Sequence, residues 1–132
     1  MSVARVFRWV WSLAGAMSTA LVIGAGIAAD TWLSHHEICE TDTQPENVEY
    51  DGAIYHVGVA RRESWLLRRR LPDEVWVSRD PGLSYGHVVG VDIAGNSTPM
   101  MRSVQWRPDG VTVRFDSGHE LFLPARLFVG GR

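Results

Sequence analysis

Residues 9–29, WVWSLAGAMSTALVIGAGIAA, are 21 uncharged positions in a row, the most polar being Ser12, Ser18 and Thr19. At about 1.5 Å per residue a helix of that length reaches roughly 30 Å, the thickness of a bilayer's hydrocarbon core. Trp9 and Trp11 stand at one end and Trp32 at the other, where amphipathic indole rings favour the headgroup level. The segment 9–32 therefore reads as a single transmembrane helix, and the membrane lipid bilayer as the chain's first partner.

The flanks set an expected orientation. Arg5 and Arg8 precede the span, whereas residues 30–60 carry no Arg and hold Asp30, Glu37, Glu40 and Asp42. The positive-inside bias places residues 1–8 in the cytoplasm and the rest of the chain outside, at the cell membrane. The competing reading is a cleaved signal peptide, because a basic start leads into the apolar run and Gly26-Ile27-Ala28 has a small-x-small form. The run is longer than the roughly 7–15 residues of a signal's apolar region, which favours the anchor. Ala16, Ala20, Gly24 and Ala28 recur every fourth residue and make a smooth ridge on one helix face, the pattern that lets two membrane helices pack closely.

Beyond the span the composition is that of one small domain. Residues 30–132 carry 11 Arg against 15 Asp plus Glu, a formal charge of −4, which argues against nucleic acid as a partner. All 13 basic residues are Arg, a bias expected of a GC-rich bacterial genome. A single cysteine, Cys39, excludes an internal disulfide framework, although it is able to join two copies.

Residues 33–48 are polar and aperiodic and contain Pro45, the marks of a juxtamembrane linker without regular structure. From residue 49 to 132 the hydrophobic period becomes two. Val111, Val113 and Phe115 alternate with Thr112 and Arg114, and similar alternation runs through 53–59, 89–93 and 119–123. Asp51-Gly52, Asp80-Pro81-Gly82, Gly95-Asn96, Pro108-Asp109-Gly110 and Ser117-Gly118 supply turns between them. The expected fold is a small extracytoplasmic all-β domain, a meander, barrel or sandwich of about six or seven strands. Residues 63–71 read as a further strand, and Tyr55, Val57, Trp65, Val89, Val91, Val104, Trp106, Val113, Phe115, Leu121 and Leu123 as the core.

Several strings invite a chemical reading. Gly82-Leu83-Ser84-Tyr85-Gly86 has the G-x-S-x-G form of a nucleophile elbow, with His87, Asp92 and His119 as available partners. An elbow needs a strand before the serine and a helix after it, whereas here a Pro-Gly turn precedes and a strand pattern follows. His35, His36 and Cys39 are competent metal ligands, but neighbours in a flexible linker do not preorganise a site, so no metal and no cofactor are expected. Arg61, Arg62, Arg68, Arg69 and Arg70 concentrate positive charge in an otherwise acidic domain, a surface suited to anionic lipid or a partner's carboxylates. Asn96-Ser97-Thr98 matches the N-glycosylation acceptor, which a bacterial source would make irrelevant.

These observations describe an anchored, non-enzymatic binding or accessory module, with an envelope protein or a second copy as partner. The alternative is a small exported hydrolase or metal-dependent enzyme built on Ser84, His87 and His119 or on the histidine segment. If the small-residue ridge is an interface, Ala20→Leu or Gly24→Leu is expected to lower self-association in a membrane two-hybrid assay. An unchanged signal would remove the ridge from consideration.

Overall fold

The computed structural model describes residues 3–93 and 97–130, with side chains from residue 8 onward, so Asn96 and the Gly95-Asn96 turn lie outside the described residues. Two compact units emerge. One joins residues 1–35 to residues 63–69; the other comprises 36–62 and 70–132.

The first unit is built on α1, Val3–Trp32. Residues Arg8–Trp32 are long and apolar enough to cross a membrane. Every described side chain from Arg8 to Ala29 is exposed. The three hydroxyls inside the apolar run are internally satisfied: Ser12, Ser18 and Thr19 donate to the carbonyls of Arg8, Ala14 and Gly15, each at 2.9 Å. Such i−4 bonds let a polar group sit in an apolar helix without an unmet donor.

The second unit is all-β, with a final short helical turn. Its strands are β1 His35–Thr43, β2 His56–Glu63, β3 Asp73–Ser78, β4 His87–Val91, β5 Met101–Arg107, β6 Gly110–Phe115 and β7 Glu120–Pro124, followed by α2 Ala125–Phe128. They form two antiparallel sheets, β1-β2-β3-β4 and β5-β6-β7, each in chain order. Val57 pairs with Val77 and Val75 with Val89 in the first sheet; Val113 faces Val104 and Leu121 in the second. One buried cluster draws on both sheets, with Val57, Val59, Val75, Val77 and Val91 from the first and Trp106, Val111, Val113, Phe115 and Leu123 from the second. Tyr50, Tyr55 and Phe128 add edge-to-face ring contacts at centroid distances of 5.2–5.8 Å. The Tyr50 hydroxyl is shared between the carbonyls of Arg107 and Gly110, which ties the segment before β2 to the β5–β6 turn. Burial pushes its ionisation upward.

Three expectations are corrected. Residues 35–43, read as part of a structureless linker, are strand β1. Its inward side chains are hydrogen-bond acceptors instead of hydrocarbons: Glu40 Oε2 accepts from the Met101 amide and Asp42 Oδ2 from the Trp106 indole, both at 2.8 Å. Glu40 and Asp42 are two residues apart, so they share a strand face. Residues 64–69, read as a strand, are a turn between β2 and β3. Trp65, expected in the core, is 60% exposed on that turn.

β2 is covered on both faces. Opposite Val57 and Val59, Gly58 leaves room for Leu83: a Cβ there would lie 2.3 Å from Leu83 Cδ1 and 2.9 Å from the Glu40 carbonyl. Gly58→Ala is therefore expected to destabilise the β unit by about 1–3 kcal/mol through overpacking. Phe115→Ala is expected to cost about 3–5 kcal/mol through the cavity it opens. Denaturant melts of the detergent-solubilised full chain, read by near-UV dichroism, measure both.

Candidate functional site

The serine string serves packing. Leu83 adopts φ +51° and is buried. The turn that places it is organised by Asp80, whose Oδ2 accepts from the Ser84 amide at 2.9 Å and the Ser84 hydroxyl at 2.5 Å, while Oδ1 accepts from the Gly82 amide at 3.2 Å. The Ser84 hydroxyl is thus bonded to a carboxylate. Neither His87 nor His119 is its partner: His87 opens β4 opposite Val77, and His119 bonds Ser117 Oγ at 3.0 Å in the β6–β7 turn. Nucleophile, base and orienting acid are not assembled among these groups.

His87 instead lines a shallow cavity of about 140 Å³ with Tyr55, Val77, Ser78, Arg79, Tyr85, Gly86, Leu127 and Phe128. Arg79 Nε donates to the Tyr55 hydroxyl at 2.9 Å, and its guanidinium carbon lies 5.4 Å from the ring centroid. That hydroxyl holds the guanidinium's ionisation further up. The space is enough for a few waters.

The histidine segment is taken up by β1. His36 Nδ1 lies 3.1 Å from Glu74 Oε2 and its ring meets Trp76 edge-on. Cys39 Sγ contacts the Glu37 carbonyl at 3.5 Å. Among the described residues no three His, Cys, Asp or Glu side chains converge as a metal site.

The five arginines divide between the two units. In the β unit Arg61 faces Glu37 at 3.9 Å and bonds Thr98 Oγ1 at 3.0 Å, Arg62 lies 3.3 Å from Glu74, and Arg70 reaches Asp73 at 2.7 Å. Carboxylates offset these charges in place, so the β unit presents a mixed surface. Arg68 and Arg69 belong to the 63–69 turn and to the helix unit.

That turn was not visible as a site in the sequence. Asp30, 4% exposed, sits in the last turn of α1. Its main-chain carbonyl accepts from the Trp65 amide at 3.1 Å, and its Oδ1 accepts from the amides of Leu66 at 2.5 Å and Leu67 at 3.1 Å. Arg69 Nη2 lies 3.9 Å from Asp30 Oδ2 and donates to Thr31 Oγ1 at 3.1 Å. Ser64 and Arg69 close the turn by two bonds, Ser64 N to the Arg69 carbonyl at 2.8 Å and Arg69 N to Ser64 Oγ at 2.9 Å. A carboxylate at a helix C-terminus opposes the helix dipole, and α1 has no basic residue in its last turn. Arg69 and the amides of the turn supply the missing positive charge from elsewhere in the chain. The clue in the sequence was the single acid at the end of an apolar run followed, 38 residues on, by an arginine triplet.

The small residues of α1 line an open face. Nothing lies within 4 Å of a Cβ built on Gly24. Trp9, Trp11 and Trp32 are likewise exposed. No family model, curated protein or solved structure matches the chain.

Hydrogen bonds from Ser84 and Gly82 hold the Asp80 carboxyl below its ordinary value of 3.8. A carboxyl depressed in the folded state adds stability above its unfolded pKa and loses it as pH falls through the folded one. The β unit is therefore expected to lose stability below about pH 4. Asp80→Asn should flatten that acid limb; parallel acid titrations by near-UV dichroism in detergent compare the two, and identical limbs would remove Asp80 from the account.

Proposed function

We propose that this chain is a single-pass membrane protein in which α1 anchors a small β domain outside the cytoplasm, and that the domain is a non-enzymatic binding or accessory module. The observation that carries the reading is the surface of α1. Its apolar side chains from Trp9 to Ile27 are exposed, the hydroxyls among them are bonded internally, and tryptophans mark both ends. A surface of that length and apolarity suits lipid and not water. Arg5 and Arg8 before the helix support a cytoplasmic N-terminus.

The binding role draws support from how the reactive groups are engaged. Ser84 is bonded to Asp80 and His36 to Glu74, while arginines of β2 pair with carboxylates of β1 and β3. The proposed partner is another membrane or envelope protein bearing complementary charge, or a second copy packed along the helix ridge or joined through Cys39.

Labelling of Cys39 in intact cells with a membrane-impermeant maleimide tests the topology. Reaction of membrane-fraction protein at full-length mass is the expected result. Reaction at a mass lowered by the N-terminal segment, or in the soluble fraction, would replace the anchor with a cleaved signal sequence. A thiol that reacts only after lysis, with or without reductant, would reverse the orientation.

A further inference from the structure

We infer that the turn Ser64–Arg69 is a lipid contact: Trp65, Leu66 and Leu67 enter the interfacial layer of the bilayer that α1 crosses, and Arg68 and Arg69 meet the phosphates of anionic headgroups. The contact lies at the leaflet where the C-terminal end of α1 emerges. The inference rests on the anchor reading of α1 given above.

Three features carry it. The first is position. Asp30 is the first charged residue after the 21 uncharged ones, and the turn is hydrogen-bonded to it through three successive amides. Whatever depth the helix end adopts, the turn shares it, together with the exposed Trp32 and Leu33.

The second is chemistry. Trp65, Leu66 and Leu67 are three consecutive large apolar side chains, 57–69% exposed, on a turn where polar residues are the rule. Their main-chain amides are all spent on Asp30, so those three donors enter the interface already satisfied. An indole with two leucines beside it is the composition that settles at the headgroup boundary.

The third is charge. Arg68 and Arg69 are about half exposed or more, and Arg68 lies 3.7 Å from Glu63, a loose surface pair that a phosphate can displace. Arg68 also holds a left-handed φ of +50°, which sharpens the turn behind the apolar tip. The turn belongs to the same compact unit as the exposed helix. Its apolar tip is thereby bonded to the end of a helix already suited to lipid, which favours the bilayer over a protein as its occupant.

The test uses the full chain with Cys39→Ser, reconstituted in nanodiscs of phosphatidylcholine and phosphatidylglycerol. Single cysteines, Leu66→Cys on the turn, Leu21→Cys in the helix and Phe122→Cys on the exposed side of β7, carry an environment-sensitive fluorophore. Emission is read against lipids with a nitroxide near the headgroup or deep in the chain, and against aqueous iodide. The expected result is a blue-shifted probe at 66 that loses about half its emission to the shallow nitroxide and little to iodide, with the reverse at 122. Asp30→Asn, which keeps the acceptor, should preserve the pattern, and Asp30→Ala should shift 66 toward iodide.

If 21 responds to the deep nitroxide while 66 responds to iodide as 122 does, the lipid contact is overturned and the anchor stands. If 21 also behaves like 122, the anchor fails and the contact with it. A probe at 66 shielded from both quenchers would mean a protein cover, which overturns the lipid assignment. An Asp30→Ala pattern identical to wild type would remove Asp30 as the positioning residue.

Discussion

The β unit depends on one shared cluster of side chains. With a single cysteine and under a hundred residues, it has no disulfide to restrict its unfolded state, so burial between the two sheets must carry the stability. That constraint explains why β2 is covered on both faces. Val57 and Val59 pack into the shared cluster, and the glycine between them admits Leu83 from the Asp80 turn. A segment resembling a catalytic motif is thereby explained as a packing device whose serine hydroxyl closes a turn.

Polar groups perform the joining that hydrocarbons perform elsewhere. Glu40 and Asp42 of β1 accept hydrogen bonds from β5, Tyr50 spans to the β5–β6 turn, and Gln44 bonds both the Tyr55 amide at 3.0 Å and the Val48 carbonyl at 2.6 Å. Such charge-assisted and buried bonds have strict geometry, which fixes how the sheets meet more narrowly than apolar contact alone. At the helix end the same logic applies to Asp30, whose carboxylate gathers a distant turn around itself.

The apolar helix was legible because length and composition alone specify it. Strands β2, β4, β6 and β7 were legible because their apolar residues alternate, and most of the expected core, from Tyr55 to Leu123, is buried or packed against the cluster. β1 escaped because its inward residues are acids, and strand periodicity is sought in hydrophobicity. The 64–69 turn was misread for the opposite reason. Trp65 and Leu67 alternate as a strand face would, yet both are exposed. The arginine cluster was legible as composition, but its division into carboxylate-paired members and two turn members needed the register of β2 against β3 and the position of Asp30.

The bond between Asp30 and the 64–69 turn has a further consequence in the anchored reading. A membrane helix ordinarily adjusts to a thicker or thinner bilayer by sliding or tilting at either end. Here one end is broadened by a side element held to the helix itself, so vertical movement there would drag three apolar side chains and two guanidinium groups with it. In that reading hydrophobic mismatch falls to the end marked by Trp9 and Trp11. Anchored in this way, the helix would be pinned in depth where Asp30 holds the turn.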